Sequence, residues 1–103
     1  MMKLISENTG KVRSSKLYEC LGYEIKELKY HDNNYTSIIV TGCQSKKYLP
    51  EIYVEDDFDT CNIKGFKIQT TSYGALNQDK IEEVIKGYQI ALKVVNELEK
   101  KYL

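Results

Sequence analysis

A chain that acts through its side chains needs a nucleophile beside a base, a set of metal ligands at workable spacing, or carboxylates held together. This sequence is sparing with all three. His31 is the single histidine, so a Ser-His-Asp or Cys-His centre has one available base. Cys20, Cys43 and Cys61 are odd in number and widely spaced, with no Cys-x-x-Cys pair among them. That spacing fits neither a disulfide framework nor a zinc ligand set. The three read as reduced thiols, and neither a structural disulfide nor a bound metal is expected. Gly42, Gly65, Gly74 and Gly87 stand apart from one another, and no phosphate-cradling P-loop or dinucleotide pattern occurs. The expectation is a protein without cofactor that is not an enzyme.

The uneven feature is acidic. Glu51, Glu55, Asp56, Asp57 and Asp59 place five carboxylates in nine positions with no base among them. Asp57 and Asp59 alternate, as oxygen ligands for a hard cation do, but the D-x-D-x-D-G spacing of a calcium loop is missing. The remaining readings are a solvated, charge-protected strand end and an acidic surface that steers a basic partner. Tyrosine is the second bias: nine residues, with no tryptophan. A tyrosine joins apolar area to a polar tip and suits an interface that must remain wet when empty. Tyr35 and Tyr53 fall on strand positions opposite in parity to their apolar neighbours, so both are expected on the uncovered face. The candidate partner-binding residues are therefore Glu51, Tyr53, Glu55, Asp56, Asp57 and Asp59, with Tyr35.

The elements that must carry these residues are legible from periodicity. Ile81, Val84, Ile85, Tyr88, Leu92, Val95 and Leu98 recur at helical spacing and predict an amphipathic helix over 78–101 with those residues buried. Asn77 suits its N-cap, Asp79 its positive end, and Lys100 and Lys101 its negative end. Gly87, in the helix interior, predicts close approach of another backbone. Upstream, Tyr23–His31 and Tyr35–Thr41 flank the turn residues Asp32-Asn33-Asn34 and predict a hairpin. Glu51–Glu55 and Gly65–Ser72 follow as strands, with Ile52, Val54, Phe66 and Ile68 inward. Residues 1–22 stay open between a strand and a short helix, the latter capped by serine and stopped at Gly22. The expected class is α+β: an antiparallel sheet of about four strands packed by one long C-terminal helix. It is expected as a single domain over 1–103, with the sheet in 23–73 and the helix in 77–102.

Length and charge bound what remains. With 103 residues and a formal net charge of zero, the chain suits one small domain. It lacks the broad positive footprint of a protein that holds nucleic acid through phosphates. No apolar run is long enough to span a bilayer, and Ser6-Glu7-Asn8 follows the first residues too soon for a secretory signal. A cytoplasmic location is expected. Fourteen lysines to one arginine, with abundant Ile, Asn and Tyr, match AT-rich coding in a low-GC bacterium or its phages.

A few antiparallel strands closed by one helix, in about a hundred residues without catalytic motif or cofactor motif, is similar in type to small phage-encoded anti-defence proteins, anti-CRISPR proteins among them. The resemblance implies stoichiometric inhibition of a host defence or nucleic-acid enzyme by protein binding, and it assigns no functional residue. The alternative expectation is a domain that sequesters or responds to a nucleotide or other small molecule between sheet and helix.

Overall fold

A computed structural model describes residues 2–32, 35–42, 48–57, 60 and 62–103. β1 (Lys3–Thr9), β2 (Arg13–Cys20), β3 (Tyr23–Tyr30) and β4 (Thr36–Gly42) form an antiparallel meander in that spatial order. β5 (Ile52–Asp56) and β6 (Ile63–Ile68) pair as a separate two-stranded sheet, and α1 (Gln78–Tyr102) ends the chain. The α+β class and the single long C-terminal helix are as expected. The sheet is divided, however, and the open N-terminal segment supplies two of its strands.

Short-range chemistry explains that N-terminal outcome. Leu21 and Gly22 both take positive φ, 52° and 95°, which is the two-residue primed turn whose twist matches a hairpin. Gly22 thus closes β2 onto β3 and does not end a helix. In β2, Tyr18 and Cys20 point to the same face as Tyr23 and Ile25 of β3, their cross-strand partners. All four are buried, and Ile38 of β4 joins them. The Gly10 N–H donates to the Arg13 carbonyl at 2.9 Å and closes the preceding β1–β2 turn. The exposed His31 ring reinforces this turn, its Nε2 lying 3.1 Å from the Gly10 carbonyl and 3.4 Å from Ser14 Oγ.

The helix begins where the sequence places it, with the Asn77 side chain accepting the Lys80 N–H at 3.0 Å. Its buried face is different. Gly87, Ala91, Val94, Val95 and Leu98 are buried, whereas Ile81, Ile85 and Leu92 are 45%, 51% and 57% exposed. At 100° per residue the seam is rotated by roughly 70° from the expected one. Gly87 causes the rotation: a Cβ there would collide with the Tyr48 carbonyl oxygen. The helix can therefore press its small-residue side onto the Tyr48–Leu49 backbone, and the bulkier Ile81, Ile85 and Leu92 are turned out. Ile52 lies in the same core as Leu98 and Ile25, with Val54, Phe66 and Ile68 packed around it, so the second sheet is tied to the first through side chains. Among the described residues no helix is long and apolar enough to cross a membrane.

Candidate functional site

The acidic segment borders the joint between the two sheets. A groove of about 680 Å³ runs between β4 and β5, floored by Ile38 and Ile52 and rimmed by Glu51, Tyr53 and Asp56. Residues of both parities from both strands line it, including Ile39 beside Ile38 and Tyr53 beside Ile52. Its walls are therefore strand edges, not sheet faces. Among the described lining residues two are carboxylates and none is a cation.

Of the expected site residues, the structure brings Glu51, Tyr53 and Asp56 together on this groove. Tyr53 is 49% exposed and donates its hydroxyl to Glu51 at 2.5 Å. That bond to a carboxylate holds the Tyr53 phenol above its ordinary range, with desolvation adding in the same direction. Glu55 is not among the groove's lining residues; it meets Lys67 of β6, the cross-strand partner of Tyr53, at 3.1 Å. Asp57 is half-buried beyond the groove, and its N–H donates to the Asn62 carbonyl at 2.8 Å. Tyr35 is not at the groove: it precedes β4, half-buried, with its ring 5.8 Å from that of Tyr30. Asp59 lies outside the described residues, as do Cys43 and Cys61.

Sequence reasoning missed the β4 half of the groove. The signal was present in Ile38-Ile39-Val40, three apolar residues in succession where a strand with one wet face should alternate. Ile38 is buried and Ile39 is 50% exposed, so the run marks a wall that is apolar on both sides of the strand.

A second, smaller cleft of about 400 Å³ opens between β3, β4 and the end of α1, lined by Glu27, Lys29, Thr36, Asn62, Lys101 and Tyr102 among others. Glu27 is 5% exposed. It accepts a hydrogen bond from the Tyr18 hydroxyl at 3.4 Å and faces Lys29 Nζ at 3.7 Å. The buried Tyr102 hydroxyl has no hydrogen-bond partner among the described residues. Burial first, then the charge of Glu27 and the neighbouring Tyr18, raise the Tyr102 phenol well above its usual range. Lys101 Nζ sits 4.9 Å from the Tyr18 ring centre. The cleft is polar and mixed in charge.

Among the described residues no group of three or more His, Cys, Asp or Glu is placed to hold a metal ion. Cys20 is a buried cysteine in the core between Tyr18 and Tyr23, and its burial argues against a role as an accessible nucleophile. No protein-family model, curated protein or solved structure matches this chain.

Proposed function

We propose that this chain is an interaction protein, encoded by a phage or mobile element of a low-GC bacterium, that docks a basic host protein on the β4–β5 groove. In this reading it inhibits a host defence or nucleic-acid enzyme stoichiometrically, in the bacterial cytoplasm, without cofactor and without catalysis. The observation that carries the reading is the groove itself, an apolar cleft between two strand edges whose charged lining, among the described residues, is acidic. Carboxylates on the rim of an apolar cleft accelerate encounter with a basic partner and fix its orientation, while the buried floor supplies the contact area.

The test compares tagged wild-type protein with the Glu51→Gln/Asp56→Asn variant as baits in bacterial lysate, at low salt and at about 1 M salt, where the Debye length falls to about 3 Å. A stoichiometric partner with a basic contact surface should be retained by wild type and released by the variant and by salt. Equal recovery by both baits would sink the reading.

A small-molecule reading is favoured by a different observation, the buried Glu27 carboxylate and a buried Tyr102 hydroxyl without a hydrogen-bond partner among the described residues, both in the second cleft. Its test is calorimetric titration with nucleotides and amino acids, using Glu27→Gln as control. Heat that disappears in Glu27→Gln would move the assignment to that cleft.

A further inference from the structure

The two walls of the groove are main chain as much as side chain, and the register shows which groups face it. The Tyr30 N–H donates to the Tyr35 carbonyl at 2.9 Å, and the β3–β4 pairing continues in step from Lys29 opposite Thr36 to Tyr23 opposite Gly42. Hydrogen-bonded pairs alternate with non-bonded ones along an antiparallel ladder. Leu28–Ser37, Lys26–Ile39 and Glu24–Thr41 are therefore the bonded pairs. Thr36, Ile38, Val40 and Gly42 turn their N–H and C=O groups away from β3, toward the groove. On the opposite wall the Gln69 N–H donates to the Glu51 carbonyl at 2.9 Å, so Tyr53–Lys67 is a bonded pair. By the same alternation Ile52 and Val54 turn their main-chain groups to the groove. No hydrogen bond joins β4 to β5 among the described residues.

Proteins normally defend such edges with charge, proline, a bulge or a covering element. β1, at the far edge of the same sheet, has Lys3, Glu7 and a bulge at Ile5. β6 carries Lys64 and Lys67 and lies against α1. β4 reads Thr-Ser-Ile-Ile-Val-Thr-Gly, with no charge and no proline, and pairs along its whole length without a bulge. Among the described strand edges it is the one with none of these defences. Ile38, one of its outward-bonding residues, has its own side chain buried, so the main-chain dipoles there stand at an apolar wall where an added ladder gains most.

We infer that the partner contributes an extended basic segment that adds as a fifth strand to the edge of β4 that no described strand pairs, with its main chain paired to Ile38, Val40 and Gly42. The inference rests on the docking reading above and names the form of its partner. About five residues at 3.3 Å per residue span the groove from Gly42 to the Asp56 end. Glu51 and Asp56 lie across from such a strand, near opposite ends of β5, and Tyr53 between them offers its ring. Strand addition draws affinity from the ladder and selectivity from alternate side chains. Lysine or arginine at every second position, apolar residues between, is the pattern this groove accepts.

The probe is a short blocked peptide alternating lysine and valine, compared with the same peptide N-methylated on alternate amides and with its glutamate counterpart. Nuclear magnetic resonance titration of the full chain should move the Ile38, Val40 and Gly42 amides and slow their exchange with solvent. The methylated peptide should bind at least about fivefold more weakly per lost bond, one net hydrogen bond's worth, and the glutamate peptide more weakly still. Val40→Pro removes an outward N–H while leaving the β3 ladder bonds in place, so it should abolish peptide binding. If that variant does not fold, the methylated peptide decides alone. Equal binding of parent and methylated peptides that still needs Glu51 and Asp56 overturns strand addition and leaves the docking reading standing. Methylation-sensitive binding indifferent to Glu51→Gln/Asp56→Asn upholds strand addition and removes the charge-led reading. Absence of any shift in the β4 amides overturns the inference, as does a dimer of the free protein with β4 at its interface.

Discussion

Tyr23 is the residue on which the core and the long β4–β5 connection meet. Its ring is fully buried and its hydroxyl donates to the Pro50 carbonyl, so the phenol must stay protonated for the fold to keep both features. Burial, with smaller contributions from Tyr73 and Tyr88, pushes its pKa up from 10.0 to about 12. A proton bound more tightly in the folded chain than in the unfolded one stabilises the fold fully below the unfolded value. That contribution is lost as pH rises from 10 through 12. The loss is on the order of 2–3 kcal/mol, read as a steep fall of melting temperature in alkali, and Tyr23→Phe should flatten it. A slope unchanged in Tyr23→Phe would assign the alkaline loss elsewhere. Gly87 acts through the absence of atoms. The Tyr48 carbonyl occupies the space a side chain would need, so Gly87→Ala should destabilise by about 1–3 kcal/mol, against its favourable helix propensity. A melt raised by that substitution would show that helix and connection separate freely.

The helix shows how far periodicity reaches and where it stops. Its extent, its Asn77 cap and the approach at Gly87 are short-range or stereochemical properties, and each was readable. Which side of a broad apolar arc would be buried was not, because Ile81, Ile85 and Leu92 carry the same helical spacing as Val84, Val95 and Leu98. The choice is made by what the helix meets. Leu98→Ala should therefore cost about 2–5 kcal/mol through transfer and cavity effects, whereas Leu92→Ala should stay within about 0.5 kcal/mol. Chemical denaturation of the two variants side by side checks the seam, and equal losses would refute it. The β2–β3 turn was hidden for the opposite reason: leucine is a poor signal for a primed turn, yet Leu21 sits at φ 52°, where an L-residue is strained by roughly 1–2 kcal/mol. Leu21→Asn should relieve part of that and raise the midpoint, since Leu21 is 44% exposed and gives up little packing. In the candidate site, Glu51, Tyr53 and Asp56 were legible as an acidic, aromatic stretch. Their β4 counterparts were not, because a groove between two sheets is a tertiary feature with no local signature beyond the unbroken Ile38-Ile39-Val40 run.

At the scale of the whole molecule the stabilising contacts are unevenly spread. The Cα radius of gyration is 15.4 Å and the principal extents are 52 × 30 × 20 Å, while a compact chain of this length measures about 13 Å. The excess is that of an elongated molecule, in which the 25-residue α1 alone runs about 37 Å at about 1.5 Å per residue. Buried residues gather on β2, β3, β4, β5 and the C-terminal half of α1. β1 is exposed along its whole length and is held by one ladder to β2, with a bulge at Ile5 and a long Lys16–Glu7 contact at 4.0 Å. Exposed ion pairs of that kind contribute about 0–1 kcal/mol, and a strand with no buried side chain lacks the apolar area that makes opening costly. β1 should therefore open in a local step well below the free energy of global unfolding. The β4–β5 groove sits at the opposite edge, so that opening leaves the docking surface intact. Native-state hydrogen exchange with added denaturant is the measurement. Amides of β1 bonded to β2 should exchange first and with little denaturant dependence, while those of Tyr18, Ile25 and the Val94–Leu98 turn should merge with the global transition. Exchange of β1 together with the core amides would mean that the meander unfolds as one cooperative unit, and the uneven distribution of burial would then have no energetic counterpart.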